Sequence, residues 1–393
     1  MSERASESST RRRPGVGEAE RCDRTPVVVA ARRTAIGNAG GALRRFAVDE
    51  LAAPVLRAVL ADAGLDGCDE VLLGNVFGPG GNPARVAVLR AGLGVHVPAM
   101  TLDRQCASGL AAITTAAALV RAGAADAMIA GGVESASTAP HRAWRAGPAP
   151  EPPRFYTRAP FSPAEVGDPD MGPAADLVAR EAGISRERQD AFALRSHARA
   201  VEAQRAGRFD AEIVELGAVR TDERPRAGFT SERLARFRPA FTPDGTATAA
   251  NSCGVSDGAA AVLVVSEGFR RRRGLPGLRL LAARTSGLDP NRLGLGAVPA
   301  MREVLTGAPD VVEFTEAFAG QALACLDAAG VDERAASPDG GAIALGHPWG
   351  ASGAVLVVRL FSTMVRGGRS GVGLAALSSG GGLGVATTWE PVR

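Results

Sequence analysis

The sequence predicts an α/β protein built from two similar halves, with a charged insertion inside the first. Three observations carry this. Short β-branched runs alternate with small-residue helical stretches from Pro26 onward, a pattern that predicts sheets with helices on their faces. The pattern lapses between residues 137 and 244, where proline, arginine and acidic residues accumulate. It then returns and repeats its theme to the C-terminus, which suggests a pseudo-duplicated core.

The elements follow in order. Residues 26–32 (PVVVAAR) are β-branched and read as a strand. Residues 49–64 have helical apolar spacing, an acidic start and a glycine stop. A buried strand at 70–76 precedes a helix at 82–94, opened by Asn82 and Pro83. A third strand at 98–105 runs straight into a small-residue helix at 106–123, and a strand follows at 127–135. Inside the insertion the strong element is an amphipathic helix at 185–209, whose alternating charges predict a solvated face. The regular pattern resumes at 246–267. The second half then reads as a strand at 278–285, a helix at 297–308, a strand ending at 311–318, and helices at 319–330 and 350–368. Two strands within 372–390 are joined at a glycine turn. The division is a disordered tail over 1–24, an N-terminal half over 25–136 and 245–270, an inserted loop domain over 137–244, and a C-terminal half over 271–393.

Composition narrows the function. A chain of 393 residues with 46% hydrophobic content can bury a large core in more than one domain-sized unit. No apolar run reaches the roughly 18 residues of a membrane span. A net charge of +3, with 4% aromatics, gives no electrostatic footprint or stacking surface for nucleic acid. Lysine is absent and arginine carries the positive charge. Arg11 to Arg13 lie among serines and glutamates and read as a solvated tail. The nearby acids Glu3, Glu7, Glu18 and Glu20 argue against a transit peptide. The cysteines are Cys22, Cys68, Cys106, Cys253 and Cys325, widely spaced and without a CxxC pair. That spacing disfavours a disulfide framework or a metal site and points to a reducing cytoplasm.

Cys106 sits where a strand meets a helix, in DRQCASGL. Unpaired N–H groups and the macrodipole at a helix start favour an anion, so a thiol there is more readily a nucleophilic thiolate. The same residue is equally at home as a small buried hydrophobe. His347 lies in GGAIALGHPWGASGA, where glycines allow close backbone approach and Pro348 fixes the next turn. A satisfied core histidine is the plainer reading. The turn SSGGGLG at 378–384 offers backbone N–H groups of the kind that form an oxyanion hole, and equally suits an ordinary hairpin.

Together these segments resemble the thiolase family: DRQCASGL, EFTEAFAGQ, GGAIALGHPWGASGA and SSGGGLG, with NSCGVSDGAAA and DERPR resembling its coenzyme-A-facing segments. The likeness runs from Pro26 to Trp389, in order. It implies a five-layered αβαβα core with an inserted loop domain, homodimers or homotetramers, and ping-pong acyl transfer between coenzyme A thioesters, with no tightly bound cofactor. By resemblance, Cys106 is the acylated cysteine and His347 its activator. The Gly380 N–H pairs with that of Cys106 in an oxyanion hole. Arg226 lies near the nucleotide end of coenzyme A, and Met171 lines the acyl and pantetheine pocket.

Four positions depart from the family. Ser378 replaces a second cysteine that acts as general acid/base. Thr315 replaces an asparagine that holds an oxyanion-hole water, and its hydroxyl can still hold one. Cys253 replaces a serine that bonds coenzyme A, and Asp170 replaces a histidine. A thiol ionises near pH 8.5, whereas an aliphatic hydroxyl is a far weaker acid. Ser378 alone therefore cannot take a proton α to a thioester. Three readings stay open: a thiolase with another group in that role, an enzyme of decarboxylative condensation or plain acyl transfer, and a non-catalytic acyl-CoA-binding partner subunit.

Overall fold

The computed structural model describes residues 23–145 and 152–393. The tail expected over 1–24 lies almost wholly outside the described residues, as do Cys22 and part of the proline-rich stretch after Trp144.

The first half contains β1 (Pro26–Thr34), α1 (Val48–Asp62), β2 (Glu70–Gly74), α2 (Pro83–Ala91), β3 (Ala99–Leu102), α3 (Ser108–Ala122) and β4 (Ala127–Ser135). The insertion supplies α4 (Met171–Glu181) and α5 (Arg186–Arg205) before β5 (Ser256–Ser266) completes the half. The second half contains β6 (Gly277–Gly287), α6 (Ala297–Val304), β7 (Val311–Phe314), α7 (Ala319–Ala329), α8 (Trp349–Leu360), β8 (Gly373–Ser379) and β9 (Leu383–Val392). Local chemistry sets several boundaries. Asn82 caps α2 by accepting from the Arg85 N–H at 3.2 Å, with Pro83 in the first turn. Gly123 closes α3 in the left-handed conformation at φ 79°.

The strand order is β7-β8-β9-β6-β1-β5-β4-β2-β3. Each half repeats one scheme. In the first, β1 pairs antiparallel with β5, β5 antiparallel with β4, and β4 parallel with β2. In the second, β6, β9, β8 and β7 pair in the same senses. The half-sheets meet where β1 pairs with β6, at Val27↔Arg279 and Val28↔Leu278.

Side-chain alternation along the strands sets the layers. Leu72, Met128, Ala130, Val262 and Val264 face a central cluster with α3 and α8, which also receives Ala375, Leu377 and Val385 from the second half-sheet. Their odd-numbered neighbours Val71, Leu73, Ile129 and Leu263 pack under α1 and α2. Val312, Leu374, Ala376 and Ala386 pack under α6 and α7. The result is the expected αβαβα order, with α3 and α8 as the shared middle layer.

Three expectations need correction. Strand β3 is shorter than 98–105, and α3 starts at Ser108, because Gln105 takes a left-handed φ of 50° and turns the chain. Helix α8 ends at Leu360 and continues as a π-helical turn over Phe361–Arg366. The charged face of α5 is not simply solvated. Arg188 pairs with Asp327 and Glu333, Arg195 with Glu333, and Arg199 donates to the Ala336 and Arg334 carbonyls. The alternation in sequence hid these long-range partners on the C-terminal half. The insertion also grips the first half, because buried Arg33 bonds Glu212 and Asp222.

Candidate active site

The turn carrying Cys106 is built by its own neighbours. The Asp103 carboxylate accepts from the Gln105 N–H at 2.7 Å. The Ser108 hydroxyl accepts from the Arg104 N–H at 2.8 Å and donates to the Gln105 carbonyl at 2.6 Å. Cys106 stands before the N-cap Ala107, so it is at the helix mouth and outside the first turn. Ser379 donates its hydroxyl to the Arg104 carbonyl at 2.8 Å, which fastens the glycine turn of Gly380 to this segment.

His347 reaches the same region through a close helix crossing. A Cβ at Gly109 of α3 would stand 2.8 Å from the Gly350 carbonyl oxygen, and one at Gly353 would stand 2.5 Å from the Leu110 nitrogen. A side chain at Gly132 would fall on the Gly350 carbonyl. Only glycine lets the start of α8 rest on the backbones of α3 and β4. Glu134 locks the crossing. Its carboxylate accepts from the N–H groups of Val76, Phe77 and Gly350 at 3.2, 3.0 and 3.0 Å. Burial pushes this carboxyl up to about 7 against those bonds.

The histidine backbone N–H donates to Ser256 Oγ at 3.1 Å and to the Gly254 carbonyl at 3.2 Å. Its ring Nδ1 lies 2.7 Å from Ser352 Oγ, and that hydroxyl donates to the Pro348 carbonyl at 3.1 Å. One hydroxyl proton serves one acceptor, so satisfying both bonds makes Nδ1–H the donor and leaves Nε2 with a free lone pair.

Segment 252–254 ties the remaining pieces together. The Cys253 N–H donates to the Ala317 carbonyl at 2.9 Å, and Arg224 spans the Ser252 and Ile343 carbonyls at 2.9 and 2.8 Å. Thr315 is held by its N–H to the Ala376 carbonyl, and its buried Oγ1 has no protein partner. It shares a cavity with Gly346, Pro348 and Ser352, beside the histidine. A second cavity gathers Met171, Phe318, Gln321 and Ser378. Arg226 stays exposed and bonds the Glu223 and Pro225 carbonyls. Among the described residues, no group of three or more His, Cys, Asp and Glu could hold a metal ion.

Burial favours the neutral form of both Cys106 and His347. Burial, then the neighbouring Cys253 sulfur, pushes the Cys106 thiol up to about 12. Burial lowers His347 to about 4. The expectation that the helix mouth makes a ready thiolate is therefore corrected. Desolvation outweighs the dipole in the closed site, and the first turn begins too late to offset it.

Sequence reasoning missed Glu134 and Arg224. Glu134 ends an otherwise apolar strand, GGVES, and a lone acid there was the available signal. Arg224 had the signal of standing in DERPR beside Arg226, with nothing to say which arginine would turn inward.

The comparisons agree with the geometry. The family model "Thiolase, N-terminal domain" matches residues 26–268, and "Thiolase, C-terminal domain" matches 276–391. An acetyl-CoA acetyltransferase of Pseudomonas aeruginosa is 42% identical over 394 residues, covering 92% of this chain and 98% of the relative. One from Cupriavidus necator is 41% identical over 390 residues, with 93% and 98% covered. The crystal structure of a Bacillus anthracis acetyl-CoA acetyltransferase superposes with a TM-score of 0.86 at 35% identity, covering 94% of this chain and 99% of that one.

Proposed function

The chain belongs to the thiolase family and is a thiolase-type acyl-CoA acyltransferase, and from that premise we propose that it works by ping-pong acylation of Cys106. The observation that supports this is the glycine crossing of α3 and α8, which packs the helix that follows Cys106 against the helix that follows His347, whose Nδ1 is already engaged by Ser352.

In the first half-reaction the Cys106 thiol passes its proton to His347 Nε2, and its sulfur attacks the acyl carbonyl carbon. The oxyanion is met by the N–H groups of Cys106 and Gly380, fixed donors in a water-poor site. Coenzyme A leaves as its thiolate, or acetyl-CoA as its carbanion, and takes up one proton from the site, which the thiol or α-carbon of the next acceptor returns. In the second half-reaction the next acceptor attacks the acyl-enzyme, with the second oxyanion near His347 and a water held by Thr315. The cavity of Met171 and Phe318 takes the acyl end. Arg226 and Cys253 serve the coenzyme A side, where Arg224 braces Cys253 from behind. The division into halves and an inserted loop domain, a homodimeric or homotetrameric state, a cytoplasmic setting and a role in lipid metabolism complete the proposal.

A second reading is favoured by Ser378. Its hydroxyl already accepts the Ala297 N–H at 3.0 Å, and an alcohol is a poor base. Decarboxylative condensation or plain acyl transfer requires no cysteine there. Turnover from malonyl-type donors, without thiolysis of acetoacetyl-CoA, would select that reading.

Intact-mass analysis after mixing with acetyl-CoA tests the main proposal. One acetyl group is expected on the wild type and none on Cys106→Ala. Acetylation that survives in Cys106→Ala, or is missing from the wild type with every acyl-CoA tried, would overturn it.

A further inference from the structure

Cys325 is a buried thiol on α7 that the acyl-transfer chemistry above does not use. Its sulfur has three polar neighbours: the Gly294 carbonyl at 3.1 Å, Gln321 Nε2 at 3.4 Å and Ser378 Oγ at 3.7 Å. Ser378 faces the cavity that also holds Met171, Phe318 and Gln321. Its oxygen accepts from the Ala297 N–H, so its own proton is free to point at the cavity or at the sulfur. Gln321 is 3% exposed and lines the same cavity. Its Nε2 donates to the Gly294 carbonyl at 2.9 Å, and its buried Oε1 has no protein partner. A hydroxyl and an unpartnered amide oxygen thus line one cavity, with the thiol lying directly behind the hydroxyl.

We propose that Cys325 is a positioning residue that stores and returns the proton of the carbon–carbon step, acting through the Ser378 hydroxyl. This rests on Cys106 being the acylated thiol. In cleavage of a 3-ketoacyl-CoA, Cys106 gives its proton to His347 and its sulfur bonds the keto carbon. The carbon–carbon bond breaks and its electron pair goes to the α-carbon of the departing acetyl-CoA. That carbon takes the Ser378 proton, and Ser378 takes the Cys325 proton. Cys325 is left as thiolate and His347 as imidazolium. In the second half the incoming coenzyme A thiol protonates Ser378 as the Ser378 proton returns to Cys325. The coenzyme A sulfur attacks the acyl carbon, and the departing Cys106 sulfur recovers its proton from His347. Every group ends as it began.

The chemistry suits a buried thiol. Burial pushes Cys325 up to about 11. Its thiolate is therefore a stronger base than an ordinary thiolate, whose acid titrates near 8.5, and it can take the proton of coenzyme A. The Gln321 N–H and the Ser378 O–H are placed to steady the charge while it lasts.

Three readouts test the relay in the full-length enzyme: acetylation of Cys106 by p-nitrophenyl acetate, whose phenolate leaves without needing a proton, thiolysis of acetoacetyl-CoA, and deuterium uptake from D2O into the methyl group of acetyl-CoA. Cys325→Ala should keep acetylation by p-nitrophenyl acetate within about twofold while thiolysis and deuterium uptake fall at least about tenfold, at the low end of general acid–base effects. Cys325→Val, which keeps the volume without a proton, should do the same if the alanine variant folds poorly. Adding Ser378→Cys to Cys325→Ala should restore both losses. Unchanged thiolysis and uptake in both variants would overturn the relay, and so would an equal loss of acetylation by p-nitrophenyl acetate, the mark of a merely structural cysteine. An unacetylated wild type would instead defeat the acyl-enzyme reading beneath it, and shows before any variant is compared.

Discussion

The two halves of the molecule place different reactive groups at the same point of the same motif. Helix α3 lies between β3 and β4 in the first half, and α8 lies between β7 and β8 in the second. Cys106 stands two residues before Ser108, the first residue of α3, and His347 stands two residues before Trp349, the first of α8. Each follows a left-handed residue, Gln105 at φ 50° and Gly346 at φ 115°. The first mouth is a tight turn closed by Ser108, whereas the second hangs on Ser256 of β5 and on Gly254 just before it. The difference teaches that duplication supplies two equivalent helix starts, and that their crossing, rather than either mouth, makes a site. Burial favours the neutral form of both the thiol and the imidazole, and the proposed acid–base pair depends on the glycines that let the helices touch.

Breaking the crossing should have the largest effect. Gly132→Val puts a branched side chain on the Gly350 carbonyl, where backbone cannot yield cheaply. Urea titration should show a loss of about 1–3 kcal/mol or more, together with loss of acetyl transfer. A fully stable, active variant would mean the contact does not hold the mouths together. Removing one support is milder. Ser352→Ala leaves the His347 Nδ1–H buried without its acceptor, a cost of about 1–3 kcal/mol. Much of that should fall on the ring orientation, so acetylation should slow about tenfold or more, with little change in the affinity for acetyl-CoA.

The smallest effect sharpens the comparison without a mutation. The Cys106 thiol is raised and His347 lowered, so near neutrality both are uncharged. Raising the pH should speed iodoacetamide labelling of Cys106 by about tenfold per unit, because only the thiolate reacts. The labelling rate of the free enzyme should not level off below about pH 10. A plateau near pH 6 would reveal a preformed thiolate–imidazolium pair and contradict the neutral resting state.

The sequence carried much of this. Continuous apolar runs located β1 and β4, because strands buried on both faces read as unbroken Val, Ile and Ala. DRQCASGL and GHPWGASGA marked both mouths, since a nucleophile and a close helix crossing each demand particular small residues. Other features were silent because they depend on distant partners. Nothing near Arg188 foretells Asp327 and Glu333, and nothing in EAFAGQALAC foretells that Cys325 would lie against Ser378. The left-handed turn at Gln105 was hidden because the residue is not glycine, and it moved the start of α3 past the cysteine.

The interdependence of the two mouths is tested most directly by rapid-quench acetylation of Cys106 in His347→Ala against the wild type at saturating acetyl-CoA. The account predicts that the alanine variant still folds and binds acetyl-CoA, and that its thiol is acetylated about 10²- to 10⁴-fold more slowly, the range of a lost general base. An acetylation rate equal to the wild type would contradict it.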